Sequence, residues 1–208
     1  MKRCVIVGSA SINDYARIKE YIKEDDYAVY CDGGLKHLEG LGKRPDLIVG
    51  DFDSHENPHL DVETIVLPCV KDDTDTSFAF KECIKRGFDH FVFLGCVGER
   101  LDHTLGNVSF LIKIKDLGLN GVMIDDYSLM CVVGDDGETV DDSFSFFSLI
   151  SLSDKCEGVT IRDAKYPLED AVIDSGFQYA VSNEVIKGKE SKVTVKKGNL
   201  LLIKICDK

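Results

Sequence analysis

The sequence predicts a mostly parallel α/β domain over residues 1–126, followed by a small all-β sandwich domain over residues 127–208. Three features carry that prediction. Short β-branched or apolar runs alternate with helical stretches through the first 126 residues. Most of those runs are apolar almost without a break, as strands covered on both faces should be. After about residue 126 the helical stretches stop, and short runs separated by turn residues take over.

In chain order, the first-half strands are expected at "CVIVG" (4–8), "YAVYCD" (27–32), "DLIVGD" (46–51), "ETIVLP" (63–68), "HFVFLGC" (90–96) and "GVMIDD" (121–126). Helices are expected at about 12–24, 34–42, 74–87 and 102–117. The last of these sets Leu105, Val108, Ile112 and Lys115 at helical spacing, with Leu111 beside them. Strand and helix in alternation imply a parallel, Rossmann-like sheet with helices on both faces. In the second half, strands are expected at 143–152, 157–163, 176–186 and 192–205, with "KKGN" as a hairpin turn inside the last. The boundary falls near "DDYS" (125–128). There are no repeats and no low-complexity tracts.

Charge and cysteine usage exclude several classes. The net charge of −12 is spread along the chain, without a Lys/Arg block or a basic stripe. Binding nucleic acid through its phosphates is therefore not expected. An anionic substrate would need metal ions beside it. The eight cysteines have no close pairs and no C-x-x-C, and several lie inside apolar runs, where a free thiol behaves as a small hydrophobe. The first apolar run is too short for a signal peptide, and none approaches a membrane span. A reduced, cytoplasmic protein without a membrane partner is expected.

Ligands of doubly wound sheets bind beyond the carboxyl ends of the strands. Asp32, Gly33 and Gly34 directly follow one strand; Gly50, Asp51, Asp53 and Ser54 follow the next. "KDDTDTS" (71–77) opens a helix, with Thr74 and Asp75 at its start. "GCVGERLDHTLGN" (95–107) places Arg100, Asp102, His103 and Asn107 between a strand and its following helix. Each segment alone has a plainer explanation. Asp-Gly-Gly makes turns, Thr or Asp at a helix start is a cap worth about 1 kcal/mol, and Arg100 beside Asp102 makes a surface ion pair of little worth. Together they describe a rim. Two carboxylates about 4 Å apart repel by roughly 4 kcal/mol at an effective dielectric near 20, which a divalent cation relieves. No P-loop, G-x-G-x-x-G, zinc-ligand spacing or nucleophile elbow is present. Carboxylates, an arginine and glycine-rich backbone remain, which suits phosphate chemistry with Mg²⁺.

These residues resemble the thiamine pyrophosphokinase (thiamine diphosphokinase) family along nearly the whole chain. D-G-G matches at 32–34, G-D-x-D-S at 50–54, K-D-x-T-D at 71–75, R-L-D-H-x-x-x-N at 100–107 and S-N-E at 182–184, in the family's order. The resemblance implies an α/β catalytic domain binding ATP and Mg²⁺ (1–126) and a β-sandwich for thiamine binding and dimerisation (127–208). It implies pyrophosphoryl transfer from ATP to the hydroxyl of thiamine, giving AMP and thiamine diphosphate. Asp51, Asp53 and Asp75, with Asp32, would hold Mg²⁺, and Asp72 would lie just behind them. Arg100 would neutralise charge on the transferred group, and Asp102 would orient the substrate or accept its proton. Asp32, Gly33, Gly34, Thr74, His103 and Asn107 would bind the nucleotide. Asp75, Ser182 and Asn183 would contact thiamine, whose thiazolium cation suits an acidic protein. The partner would be a second copy of the chain, in a homodimer.

One departure stands out: the family commonly has G-G-R-L-D-H, and here Glu99 replaces the second glycine. A side chain there is awkward if the position needs positive φ or close approach to phosphate. With no Trp in the chain, stacking on a substrate falls to Tyr, Phe or His. A period-two reading of "YAVSNEV" puts Tyr179, Val181, Asn183 and Val185 on one face, and Ala180, Ser182 and Glu184 on the other. Two rivals remain: a metal-dependent nucleotide-sugar transferase using Asp51-x-Asp53, and a non-enzymatic divalent-cation-binding module. The transferase reading does not account for R-L-D-H or S-N-E, and the signature of the binding module would be metal uptake without turnover.

Overall fold

A computed structural model describes residues 2–52, 58–70 and 72–206. The chain divides into two compact units, residues 1–126 and 127–208.

The first unit holds strands β1 (Arg3–Val7), β2 (Tyr27–Cys31), β3 (Leu47–Gly50), β4 (Glu63–Val66), β5 (His90–Leu94) and β6 (Asn120–Ile124). They pair in parallel in the order β4-β3-β2-β1-β5-β6. The order reverses between β1 and β5, which makes that gap the switch point of the sheet. Helices α1 (Tyr15–Lys19), α2 (Leu38–Leu41), α3 (Asp75–Lys85) and α4 (Leu101–Asp116) accompany the strands. The inner strands that read as continuous apolar runs are buried, with Ile6, Tyr30, Ile48, Phe93 and Met123 wholly covered, whereas the edge strand β4 leaves Val66 exposed. Helices α3 and α4 share a face through Phe80, which stands edge-on to Phe91 at 5.0 Å and tilted against Phe110 at 5.3 Å.

The helix expected over 12–24 is only Tyr15–Lys19. Side chains take the backbone groups that would continue it. Buried Asp26 accepts from Lys23 N at 2.7 Å and pairs with Arg3 at 2.6 Å. Arg3 also donates to Tyr21 O, and Lys43 Nζ to Glu24 O at 2.6 Å. The helix expected over 34–42 divides into a 3₁₀ segment, Asp32–His37, and α2, which Gly42 ends at φ +66°.

The second unit is all β. Strands β7 (Ser128–Val132), β9 (Phe146–Ser151) and β13 (Leu200–Ile205) pair antiparallel with β13 between the others. A four-stranded antiparallel sheet runs β11 (Leu168–Asp174), β10 (Lys155–Arg162), β12 (Ser191–Thr194), β8 (Glu138–Val140). Phe147, Leu149, Cys156, Val159, Ile173 and Leu202 are fully buried. Two expectations fail here. "KVTV" and "LLLIKI" do not form a hairpin, because β12 joins the four-stranded sheet and β13 the other. Gly198, at φ +100°, lets the connection pass so close to β10 that a Cβ would lie 2.7 Å from Lys155 O. Residues 176–186 make isolated bridges instead of a strand, because Ser182 at φ +59° reverses the pleat.

All eight cysteines are free, as their spacing implied. Among the described residues, no helix is long and apolar enough to cross a membrane.

Candidate active site

Parallel pairing puts the carboxyl ends of β2, β3 and β5 on one edge, and the segments singled out in the sequence open there. Asp32 starts the 3₁₀ segment at φ +26° and is 4% exposed. Glycine is required around it. A Cβ on Gly34 would lie 2.3 Å from Val7 O, and one on Gly50 would lie 2.8 Å from Asp32 Cβ. The two glycines thus let β1, β2 and β3 end close together. Gly33 beside them is half-buried.

Asp51 follows β3, and Asp75 is the first residue of α3, whose amino-terminal dipole favours a carboxylate. Carboxylate oxygens of Asp32, Asp51 and Asp75 all lie within 4.8 Å of one another. At that spacing each pair of charges repels by roughly 3.5 kcal/mol at an effective dielectric near 20. Asp32 Oδ1 is buried with no hydrogen-bond partner among the described residues. Buried polar atoms are rarely left so. A cluster of hard oxygen donors with one oxygen unsatisfied fits a hard divalent cation.

The neighbouring acids are engaged elsewhere or exposed. Asp73 accepts two bonds of 2.7 Å from Lys81, which, with Ser77, holds its carboxyl below the ordinary range. Asp72 is exposed and stands outside the cluster. Thr74 caps α3 by accepting from Ser77 N at 3.1 Å. Asp53 and Lys71 lie outside the described residues.

The segment after β5 is tied to the loop after β1. Gly8 N donates to Leu94 O and Ala10 N to Gly95 O, each at 2.8 Å. Gly95 sits at φ +58°, and a Cβ there would meet Gly8 O at 2.6 Å. Arg100 precedes α4 and grips Asp102 with two bonds, Nε to Oδ1 at 2.9 Å and Nη2 to Oδ2 at 2.6 Å. That guanidinium pushes the exposed Asp102 carboxyl far below its usual value. His103 is exposed on the same turn. Asn107 is buried and donates to Cys96 O at 2.8 Å, so its amide braces the loop. Glu99 has no positive φ, so the departure from the usual glycine brings no backbone strain.

In the second unit, Ser182 and Asn183 border a cavity of about 400 Å³ lined also by Ile161, Tyr166, Leu168 and Tyr179. Ser182 is exposed, and its N–H donates to Ser148 Oγ at 3.0 Å. Asn183 is 5% exposed. Its Oδ1 accepts from Tyr166 N at 3.0 Å and Glu184 N at 2.9 Å, and its Nδ2 donates to Tyr166 O at 2.8 Å. The alternating faces expected for 179–185 do not form: Tyr179 and Val181 are exposed while Asn183 is buried. The sequence reading missed Tyr166 and Tyr179 as cavity walls.

The model of "Thiamin pyrophosphokinase, catalytic domain" matches residues 18–123, and that of "Thiamin pyrophosphokinase, vitamin B1 binding domain" matches residues 139–200. The thiamine pyrophosphokinase of Bacillus subtilis is 28% identical over 215 residues, covering 100% of both chains. A crystal structure of that protein superposes with a TM-score of 0.85 over 100% of each chain at 26% identity. The thiamin pyrophosphokinase of Geobacillus thermodenitrificans gives a TM-score of 0.84 at 28% identity, covering 99% of this chain and 98% of that one.

Proposed function

The chain belongs to the thiamin pyrophosphokinase family, and from that premise we propose that the rim of the first unit is the catalytic centre and the cavity of the second unit receives thiamine. The protein is an enzyme that converts thiamine to thiamine diphosphate with ATP as co-substrate. The hydroxyl oxygen of thiamine bonds to the β-phosphorus of ATP. The bond from that phosphorus to the oxygen bridging to the α-phosphate breaks, AMP leaves, and the hydroxyl proton is released.

The convergence of Asp32, Asp51 and Asp75, with one buried oxygen of Asp32 unsatisfied, carries this reading. These three carboxylates, joined by Asp53 on the strength of the motif, would hold Mg²⁺. Bound there, Mg²⁺ would neutralise the polyphosphate and strengthen the electrophilic phosphorus. The chain's own groups do the rest. Arg100 turns its guanidinium from Asp102 to the transferred phosphoryl oxygens. Asp102, ionised and paired, is a poor proton acceptor; it keeps Arg100 poised. Gly33, Gly34, Thr74, His103 and Asn107 shape the nucleotide's side of the rim, with Asn107 acting through Cys96 O. In the cavity, the Ser182 hydroxyl and the remaining N–H of Asn183 Nδ2 meet the aminopyrimidine between Tyr166 and Tyr179.

A homodimer is part of the proposal, supported by the exposed apolar side chains of Val172, Phe177 and Val181 in the second unit. Light scattering at micromolar concentration should give about twice 23.1 kDa, and a fully active monomer would refute it. Eight free thiols support a reducing compartment, the cytoplasm.

The test of function is a coupled assay for AMP from ATP and Mg²⁺, with and without thiamine. AMP should form in proportion to thiamine diphosphate and only when thiamine is present. Nucleoside diphosphate from a nucleotide sugar, or metal uptake without turnover, would replace this reading by one of its rivals.

A further inference from the structure

His37 lies outside the acidic cluster, and no residue motif discussed above assigns it a task. It closes the 3₁₀ segment that Asp32 opens and is 1% exposed. Both ring nitrogens are bonded: Nδ1 to the Tyr15 hydroxyl and Nε2 to Ala10 O, each at 2.8 Å. A carbonyl oxygen only accepts, so Nε2 carries the proton and Nδ1 accepts from Tyr15. Burial pushes the ring's pKa down despite Asp126 and Glu99 nearby, while Lys36 opposes protonation too, so the ring is neutral. The tautomer is thereby fixed.

Ala10 belongs to the loop that leaves β1 at the switch point, where the sheet's order reverses. Several bonds pin that loop along its length. Gly8 N and Ala10 N donate to the β5 end, and Asp126 accepts from the backbone N–H groups of Asn13 and Asp14 at 2.9–3.0 Å. Between those anchors, Ser9 and Ser11 are exposed. Ser11 N donates to the Glu99 carboxylate at a long 3.5 Å. An oxyanion arriving at the loop would displace so weak a bond.

We propose that His37 is a positioning residue for the nucleotide. It draws Ala10 O inward through Nε2–H, so that the backbone of Ser9 and Ser11 faces outward at the switch point to receive the polyphosphate of ATP. The 3₁₀ segment thus links two parts of the site through one rigid turn: Asp32 at its start in the acidic cluster, and the phosphate-facing loop at its end. This rests on the reading of the first unit as the ATP-binding domain.

The test compares three variants by the KM for ATP and thiamine, kcat, and the Kd for ATP with Mg²⁺ measured by calorimetry without thiamine. His37→Leu keeps bulk but loses both bonds, and should raise the KM and Kd for ATP about tenfold, with kcat and the KM for thiamine within about twofold. His37→Gln can still donate to Ala10 O and should recover ATP binding to within about threefold of the native protein. Tyr15→Phe leaves the ring without its anchor and should weaken ATP binding about threefold, and it serves if His37→Leu fails to fold. ATP binding unmoved in His37→Leu or Tyr15→Phe overturns the proposal. So does an equal loss in His37→Leu and His37→Gln spread over every parameter, since that marks a packing role alone. If the native protein binds ATP but makes no AMP with thiamine, the proposed reaction fails, and the calorimetric comparison still decides the role of His37.

Discussion

Asp32 and Asn183 are almost equally buried, at 4% and 5% exposure, and the sequence marks both for ligand binding, yet the two units treat them differently. Most of the Asn183 amide is engaged by the chain itself. It accepts from two backbone N–H groups, donates to a carbonyl, and so fastens Tyr166 to the 179–184 segment. Asp32 keeps an oxygen with no partner among the described residues, and two further carboxylates face it within 4.8 Å. A buried polar group with most of its bonds made to the chain is chiefly scaffold, and Asn183 keeps one N–H for a ligand. One left incomplete among like charges fits a cation, as proposed above. The first unit therefore gathers like charge at one edge, with one Asp32 oxygen unpartnered among the described residues. The second offers a ready-made apolar cavity with few polar groups still available.

The sharpest way to break this contrast is to remove charge from the cluster. Asp32→Asn or Asp51→Asn should lower pyrophosphoryl transfer by at least about a hundredfold, the scale of losing several kcal/mol of charge stabilisation in the transition state. Melting without metal should be unchanged or higher, because one repelling charge is gone. The native protein should gain thermal stability on adding Mg²⁺, and the variants should lose most of that gain. A variant that keeps near-native Mg²⁺-dependent turnover ends the assignment of that acid as a ligand.

Next comes the scaffold side. Asn183→Ala leaves the N–H and C=O of Tyr166 without their partners and should cost about 1–3 kcal/mol of folding stability. Ser182→Ala should leave stability nearly unchanged and raise the KM for thiamine roughly three- to tenfold, with the KM for ATP unmoved. Denaturant unfolding and steady-state kinetics on both variants test the pair. If Ser182→Ala moves the KM for ATP instead, the cavity belongs to the nucleotide.

The same contrast explains what could be read from the chain. Parallel strands of the first unit declare themselves because both faces are covered, which leaves continuous runs such as "CVIVG". The meeting of Asp32, Asp51 and Asp75 was legible because parallel topology sends those strand ends to one edge; the glycines that let them approach, Gly34 and Gly50, stand in the same motifs. Strands β8 and β11 were not legible. The first is only three residues long, and the second, "LEDAVID", has just one fully buried residue, Ile173. Nor could the sequence show that Ser182 takes a left-handed φ, which turned an apparent strand into a cavity wall. His37 gave no signal, since a lone histidine acquires meaning only from what surrounds its two nitrogens. The left-handed φ of Asp170 was equally hidden: it falls where β11 carries one residue more than β10 between Leu168 and Ala171, a β-bulge.

The smallest effect is expected at Glu99, where the chain departs from its family, and it sharpens the contrast by separating two adjacent positions. A Cβ on Gly98 would lie 2.9 Å from Ala10 Cβ, a backbone-fixed atom that cannot swing aside. Gly98→Ala must therefore shift the loop that His37 holds, and the KM for ATP should rise severalfold. Glu99 is exposed, and its carboxylate accepts from Ser11 N at 3.5 Å. Ser11 lowers its carboxyl below the ordinary value, so the group is charged throughout the neutral range and no pH dependence between about 6 and 8 arises from it. Removing one exposed, solvent-screened charge near an incoming polyphosphate changes little. Glu99→Gly should lower the KM for ATP by no more than about twofold and leave kcat unaltered. Steady-state kinetics at pH 6, 7 and 8 would decide it. A tenfold change in either direction, or one that grows toward pH 6, would mean that Glu99 contacts the nucleotide directly and that the second glycine of the family motif is kept for ligand approach.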